Sequence, residues 1–172
     1  MTMLDVFIAQ LQGAHDHIAN TLQGLTDEQI NYRPSANAHN IGFAIWHTLR
    51  TWDAYFARIT KMPSVYEREN WAVRFGFDAH GRGISDVGTG FTAQDIAAMP
   101  LTPETLNAFL ESLWTHTRDD LKMMNDDVLL REAIVPWWNP PTIPFARVMS
   151  HIIAHTYLHI GEADYVRGLL GK

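Results

Sequence analysis

The chain is 172 residues long and 47% hydrophobic, enough for one compact domain with a sizeable core, and no apolar run reaches membrane-spanning length. Cysteine is absent, which excludes disulfides and thiolate metal sites and leaves imidazole and carboxylate as ligands for any transition metal. A formal net charge of −6 with no basic stripe excludes phosphate-backbone binding, so neither nucleic acid nor membrane is expected as a partner.

Met1-Thr2-Met3-Leu4-Asp5 holds no basic stretch and no cleavable apolar segment, so a cytoplasmic protein is expected. Leu4, Phe7, Ile8, Leu11, Ile18, Leu22 and Leu25 fall mostly at helical spacing, predicting a first helix from Leu4 to Leu25. Thr26-Asp27-Glu28-Gln29 has the pattern of a capping box, and Pro34 with Ser35-Ala36-Asn37 predicts a loop. A second helix is expected from about His39 to Thr60, through Ile41, Ile45, Trp46, Leu49, Trp52, Phe56 and Ile59, with Pro63 closing it. In residues 61–91, Gly76, Gly81, Gly83, Gly88 and Gly90 interrupt every pattern. A long loop is expected there, with a short helix around Tyr66 to Val73, and loops of this length tend to be functional.

Thr92-Ala93-Gln94-Asp95 caps one short helical turn ahead of Pro100. Thr102-Pro103-Glu104 then combines an N-cap, a proline at the first helical position and an acid in the first turn, predicting a third long helix to about Asn125. Residues 126–143 are expected to be extended, because Trp137-Trp138 and Pro140-Pro141 do not fit a helix. The last helix is expected from near Pro144 to about Leu170, with Gly171 as its stop. Its apolar residues occur almost all round, the pattern of a buried central helix. Four long helices with two sizeable crossovers make an all-α four-helix bundle, a single domain over residues 1–172.

His151, His155 and His159 sit four residues apart on the last helix. Their side chains therefore share one face, with about 40° of drift between neighbours. A histidine pair at this spacing can put two ring nitrogens on one metal. A third ligand must come from another helix, and His47 suits, on a stripe with Phe43, Thr51 and Ala54. A buried histidine without a partner is costly, so His47 has to be hydrogen-bonded or ligated. Spacing alone leaves both readings open. His15, His17 and His116 are expected to be exposed helix residues and His39 to sit near a helix start. His80 belongs to the glycine-rich loop, from which it could reach the site as a lid residue.

Two segments resemble the DinB/YfiT-like metalloenzymes, four-helix bundles with a three-histidine site. Asn40-Ile41-Gly42-Phe43-Ala44-Ile45-Trp46-His47-Thr48-Leu49 is similar to that family's second-helix motif. His151-Ile152-Ile153-Ala154-His155-Thr156-Tyr157-Leu158-His159-Ile160-Gly161-Glu162 is similar to its final-helix motif, usually Asn-His-x-x-x-His-Arg-Gly-Gln. The resemblance covers nearly the whole chain and implies His47, His155 and His159 as the ligands of one divalent metal, with His151 a neighbour one turn earlier. Three departures stand out: Ala154 replaces the Asn, Ile160 the Arg and Glu162 the Gln. Losing the Arg removes an anion-binding charge. Glu162, one turn beyond His159, is placed first to orient a histidine ring, then as a surface residue, then as a fourth ligand.

Three imidazoles leave an open coordination position, the arrangement of catalytic metal sites; imidazole suits zinc, nickel, iron and copper, so ligand type alone does not choose, and zinc is expected first with nickel next. The resemblance implies a transferase acting with a low-molecular-weight thiol on a small molecule, and a homodimer. A metal-dependent hydrolase and a non-catalytic metal- or small-molecule-binding stress protein are the alternatives. The pocket is expected to draw on the 61–91 loop and on Trp137-Trp138.

Overall fold

The structure is a computed structural model and describes residues 1–77 and 87–172. Its elements run α1 (Met3–Leu22), α2 (Asp27–Ile30), α3 (Ile41–Thr60), α4 (Val65–Arg68), α5 (Trp71–Arg74), α6 (Ala93–Ala97), α7 (Pro103–Lys122), a 3-10 turn (Asp126–Leu130), β1 (Glu132–Ile134), β2 (Thr142–Pro144) and α8 (Phe145–Leu169).

Side chains rather than propensity alone set the starts of α1, α2, α3 and α7. Thr2, Thr26 and Thr102 each accept from the backbone N–H three residues on, in reciprocal capping boxes with Asp5, Gln29 and Thr105. Asn40 caps α3 by accepting from the Phe43 N–H at 2.7 Å. Each such cap is worth about 1 kcal/mol, because it satisfies a donor the helix leaves open. α1 stops at Leu22 rather than the expected Leu25. Gln23 is extended and Gly24 takes φ +71°, so the apolar periodicity runs past the true end, while Leu25 still reaches the core. Arg167 of α8 closes that end by donating to the carbonyls of Thr21 and Gln23, a cation against the negative end of a helix dipole.

α3 packs most extensively on α8 and also on α7, while α1 packs on α8 and α7. The four long helices therefore close a ring in the order α1, α8, α3, α7, with α1 diagonal to α3 and α7 diagonal to α8. The chain crosses the bundle twice, once between α1 and α3 through α2, and once between α7 and α8 through the β1–β2 hairpin. The long 61–102 connection joins neighbours, so one of the two expected crossovers lies earlier in the chain than the loop lengths suggested. Leu11, Ile18, Trp46, Trp52, Phe109 and Met149 are among the side chains of one continuous apolar cluster. Burying each contributes roughly 1.5–3 kcal/mol as an upper figure.

Residues 126–143 are less uniformly extended than expected. The 3-10 turn comes first, then β1 pairs antiparallel with β2, Ala133 opposite Ile143, both buried and flanked by exposed residues. The last helix also departs from expectation. Leu158, Tyr165 and Leu169 are exposed, so α8 buries one side and presents an apolar stripe on the other. Among the described residues, no helix is long and apolar enough to cross a membrane.

Candidate metal centre and its cavity

The α3–α8 contact places His47 opposite His155 and His159. Each of the three offers a ring nitrogen, and these three atoms lie within 4.8 Å of one another, close enough for one ion to bridge them. The ring centroids stand 5.1 Å (His47–His155), 4.8 Å (His47–His159) and 4.5 Å (His155–His159) apart. His47 also stacks on Phe43 of its own helix, 5.8 Å between centroids, which fixes its ring plane.

Hydrogen bonds decide which nitrogen His47 and His159 present. His47 Nδ1 contacts the Val87 carbonyl. A carbonyl only accepts, so the proton is on Nδ1 and the Nε2 lone pair faces the cluster. His159 Nδ1 sits 2.8 Å from Glu162 Oε2, and the same argument frees its Nε2. Among the described residues, the His155 ring has no hydrogen-bond partner. Glu162 also lies 3.6 Å from His39 Nδ1, tying the residue just before the α3 cap to this centre.

Burial favours the neutral form of His47, His155 and His151, the form a metal needs from a ligating imidazole. It pushes His47 below the usual imidazole value, with the Val87 carbonyl opposing. His155 is driven down to about 3, by burial first and then by the rings of His159, His47 and His151. His151 is lowered by burial as well.

His47, His151 and His155 line a cavity of about 1020 Å³. Thr51, Tyr55 and Arg58 of α3 also line it, and Trp137 of the hairpin loop lines it against Tyr55, its ring 5.7 Å away. His151 does not join the three-nitrogen cluster. Its ring stands edge-on to Tyr55 at 4.9 Å and to Trp138 at 4.8 Å, with His155 5.6 Å away.

A sequence model of the DinB superfamily matches residues 10–163. The chain belongs to the DinB superfamily. A crystal structure described as the conserved protein of a locus from Enterococcus faecalis has the same fold, with TM-score 0.83 and 21% identity over 100% of this chain and 99% of that one. No curated protein matches the chain. For a DinB-superfamily chain, the three-histidine group is thus assembled from the two motif segments that carry the family resemblance, one on α3 and one on α8.

The remaining histidines fall into place by their neighbours. His15 is buried, not exposed as expected, because α1 turns it toward α7. Its Nδ1 meets Asp16 and its Nε2 meets Glu111, both at 2.9 Å. His17 is half exposed and pairs with Asp164 at 2.6 Å. His116 is partly buried beside Glu69 at 2.9 Å. His39 is exposed and packs on Phe43 at 4.8 Å. His80, the candidate lid residue, lies outside the described residues. Sequence reasoning missed the Val87 carbonyl altogether, since no side chain signals a backbone acceptor. It singled out Trp137-Trp138 as a pocket wall but not their partner Tyr55.

Proposed function

We propose that the protein binds one divalent metal ion on His47, His155 and His159, zinc first and nickel next, and acts as a transferase using a low-molecular-weight thiol. The observation that carries this reading is the set of three convergent imidazoles, with no fourth ligand among the described residues, beside a cavity large enough for a small molecule. A divalent metal there supplies positive charge that favours the thiolate, the reactive form of a thiol, near neutral pH. The chain has no cysteine, so the sulfur must come from a cosubstrate. The residues of the chain hold and orient. Val87 and Glu162 fix the tautomers of His47 and His159, while Phe43 fixes the plane of His47. The Trp137 side of the cavity confines the second substrate.

Elemental analysis of gently purified protein is expected to find about one divalent ion per chain. A screen of small thiols against electrophiles, run beside ester and amide substrates, is expected to show turnover that depends on added thiol and disappears in His47→Ala. Turnover of esters without a thiol would replace the transferase with a hydrolase. Metal binding with no turnover on any substrate would leave a binding protein.

A further inference from the structure

The cavity wall contains a hydroxyl group whose hydrogen finds no acceptor among the described residues. Tyr55 lies eight residues past His47 on α3, so it is two turns further along the same cavity-facing wall. Its ring is buried, at 6% exposure. Its hydroxyl oxygen accepts from two indoles at once, Trp137 Nε1 and Trp138 Nε1, each at 2.9 Å. An indole N–H can only donate, and a phenolic oxygen has two acceptor sites and one donor hydrogen. Both acceptor sites are therefore taken. Among the described residues nothing receives the hydroxyl hydrogen. That hydrogen is therefore available to an occupant of the cavity that can accept from it.

A cation lines the same cavity. The Arg58 guanidinium lies over the Trp137 ring, 5.0 Å from its centroid, on the same cavity wall, and has no carboxylate partner among the described residues. The tight turn that presents both tryptophans is held by its own backbone, Val135 N–H to the Pro141 carbonyl at 2.7 Å and Trp138 N–H to the Val135 carbonyl at 2.9 Å. Donor and cation thus line the same cavity as His47 and His155, and the His151 ring stands 4.9 Å from Tyr55 and 5.6 Å from His155.

We propose that the Tyr55 hydroxyl and the Arg58 guanidinium form a second recognition point, which binds a carboxylate carried several bonds away from the atom that the three-histidine centre takes. The inference rests on the function proposed above and adds the substrate class: a small thiol acid rather than a simple thiol. The tyrosine donates one charge-assisted hydrogen bond and the arginine supplies the counter-charge, a combination that favours carboxylate over neutral ends. Tyr55 acts as a positioning residue. It sets where the far end of the ligand lies and so which chain lengths fit.

The test is calorimetric titration of zinc-loaded protein with 3-mercaptopropionate, 4-mercaptobutyrate and 6-mercaptohexanoate, against 1-butanethiol. The best-fitting thiol acid is expected to bind roughly tenfold or more tightly than butanethiol. Tyr55→Phe is expected to bring that ratio close to one, and Arg58→Gln to reduce it. Trp138→Phe removes one indole donor but keeps the hydroxyl. It is expected to retain most of the preference, whereas equal losses in both variants would mean that only the order of the loop matters and would overturn the proposal. No carboxylate preference in the wild type, or a preference intact in Tyr55→Phe, would also overturn it. If no thiol binds zinc-loaded protein, the thiol reading of the function falls separately and hexanoate carries the test. Hexanoate binding weakened about tenfold by Tyr55→Phe keeps the recognition point, while equal binding or none removes it.

Discussion

Glu162 shows at a single residue how this centre is tuned. Its carboxylate accepts from His159 Nδ1 at 2.8 Å and is half exposed, so it orients the ring and adds negative charge behind the nitrogen that would face a metal. Glu162→Gln keeps an acceptor and removes the charge. Zinc affinity measured against a competing chelator is expected to fall about tenfold, the low end for partners of ligating histidines. His155 makes the pH argument. Its ordinary value is 6.5 and its folded value is about 3, so between these the unfolded chain holds the proton that the folded chain refuses. His155 therefore contributes stability that is fully present above about pH 6.5 and is lost as pH falls toward 3, with His47 and His151 acting in the same direction. Metal-free wild type is expected to lose more of its urea midpoint between pH 7 and pH 5 than His155→Gln. Parallel losses in the two proteins would show that the burial of His155 does not set this slope.

At the scale of elements, the 87–91 segment and α8 each hold a feature that the helix pattern hid. Gly88 takes φ +89°, and a Cβ there would stand 2.8 Å from Trp46 Cζ3 and 3.0 Å from Phe43 Cε2. The backbone thus approaches α3 as only glycine can, which carries the Val87 carbonyl to His47. Gly88→Ala is expected to cost about 1–3 kcal/mol in chemical denaturation, from backbone strain and overpacking. Zinc affinity is expected to drop in the same variant, whereas Gly90→Ala, where an added Cβ meets nothing within 4 Å, is expected to be strained without weakening the metal. On α8, Ala154, Leu158, Gly161, Tyr165 and Gly168 alternate in steps of four and three along the exposed side. Added Cβ atoms at Gly161 and Gly168 would meet nothing, so the backbone is open to close approach by another helix. We propose that this stripe is the two-fold interface of a homodimer. Light scattering across a wide concentration range is expected to give twice the chain mass for wild type and the monomer mass for Leu158→Glu. A monomeric wild type would end the proposal.

For the molecule as a whole, what could be read from the sequence is what depends on local chemistry. Capping residues, Pro103 at a helix start and 3.6-residue periodicity are local, and they placed all four long helices within a few residues. Where the structure departs from the pattern, a glycine just past the helix end or a distant neighbour made the decision. Gly24 ends α1 although the apolar pattern continues, and α7 buries His15, whose sequence surroundings suggest exposure. The candidate site divides in the same way. His155 and His159 share a face because a helix repeats every 3.6 residues, so spacing alone declares them a pair. That His47 meets them, that the Val87 carbonyl and Glu162 select the nitrogens offered, and that Tyr55 takes both indole N–H groups are consequences of α3 packing on α8 with the hairpin folded over them. Periodicity and capping act within a few residues of the chain, so the sequence carries them directly. Contacts between elements depend on crossing geometry and on backbone atoms that no side chain announces, and the tertiary structure alone decides them.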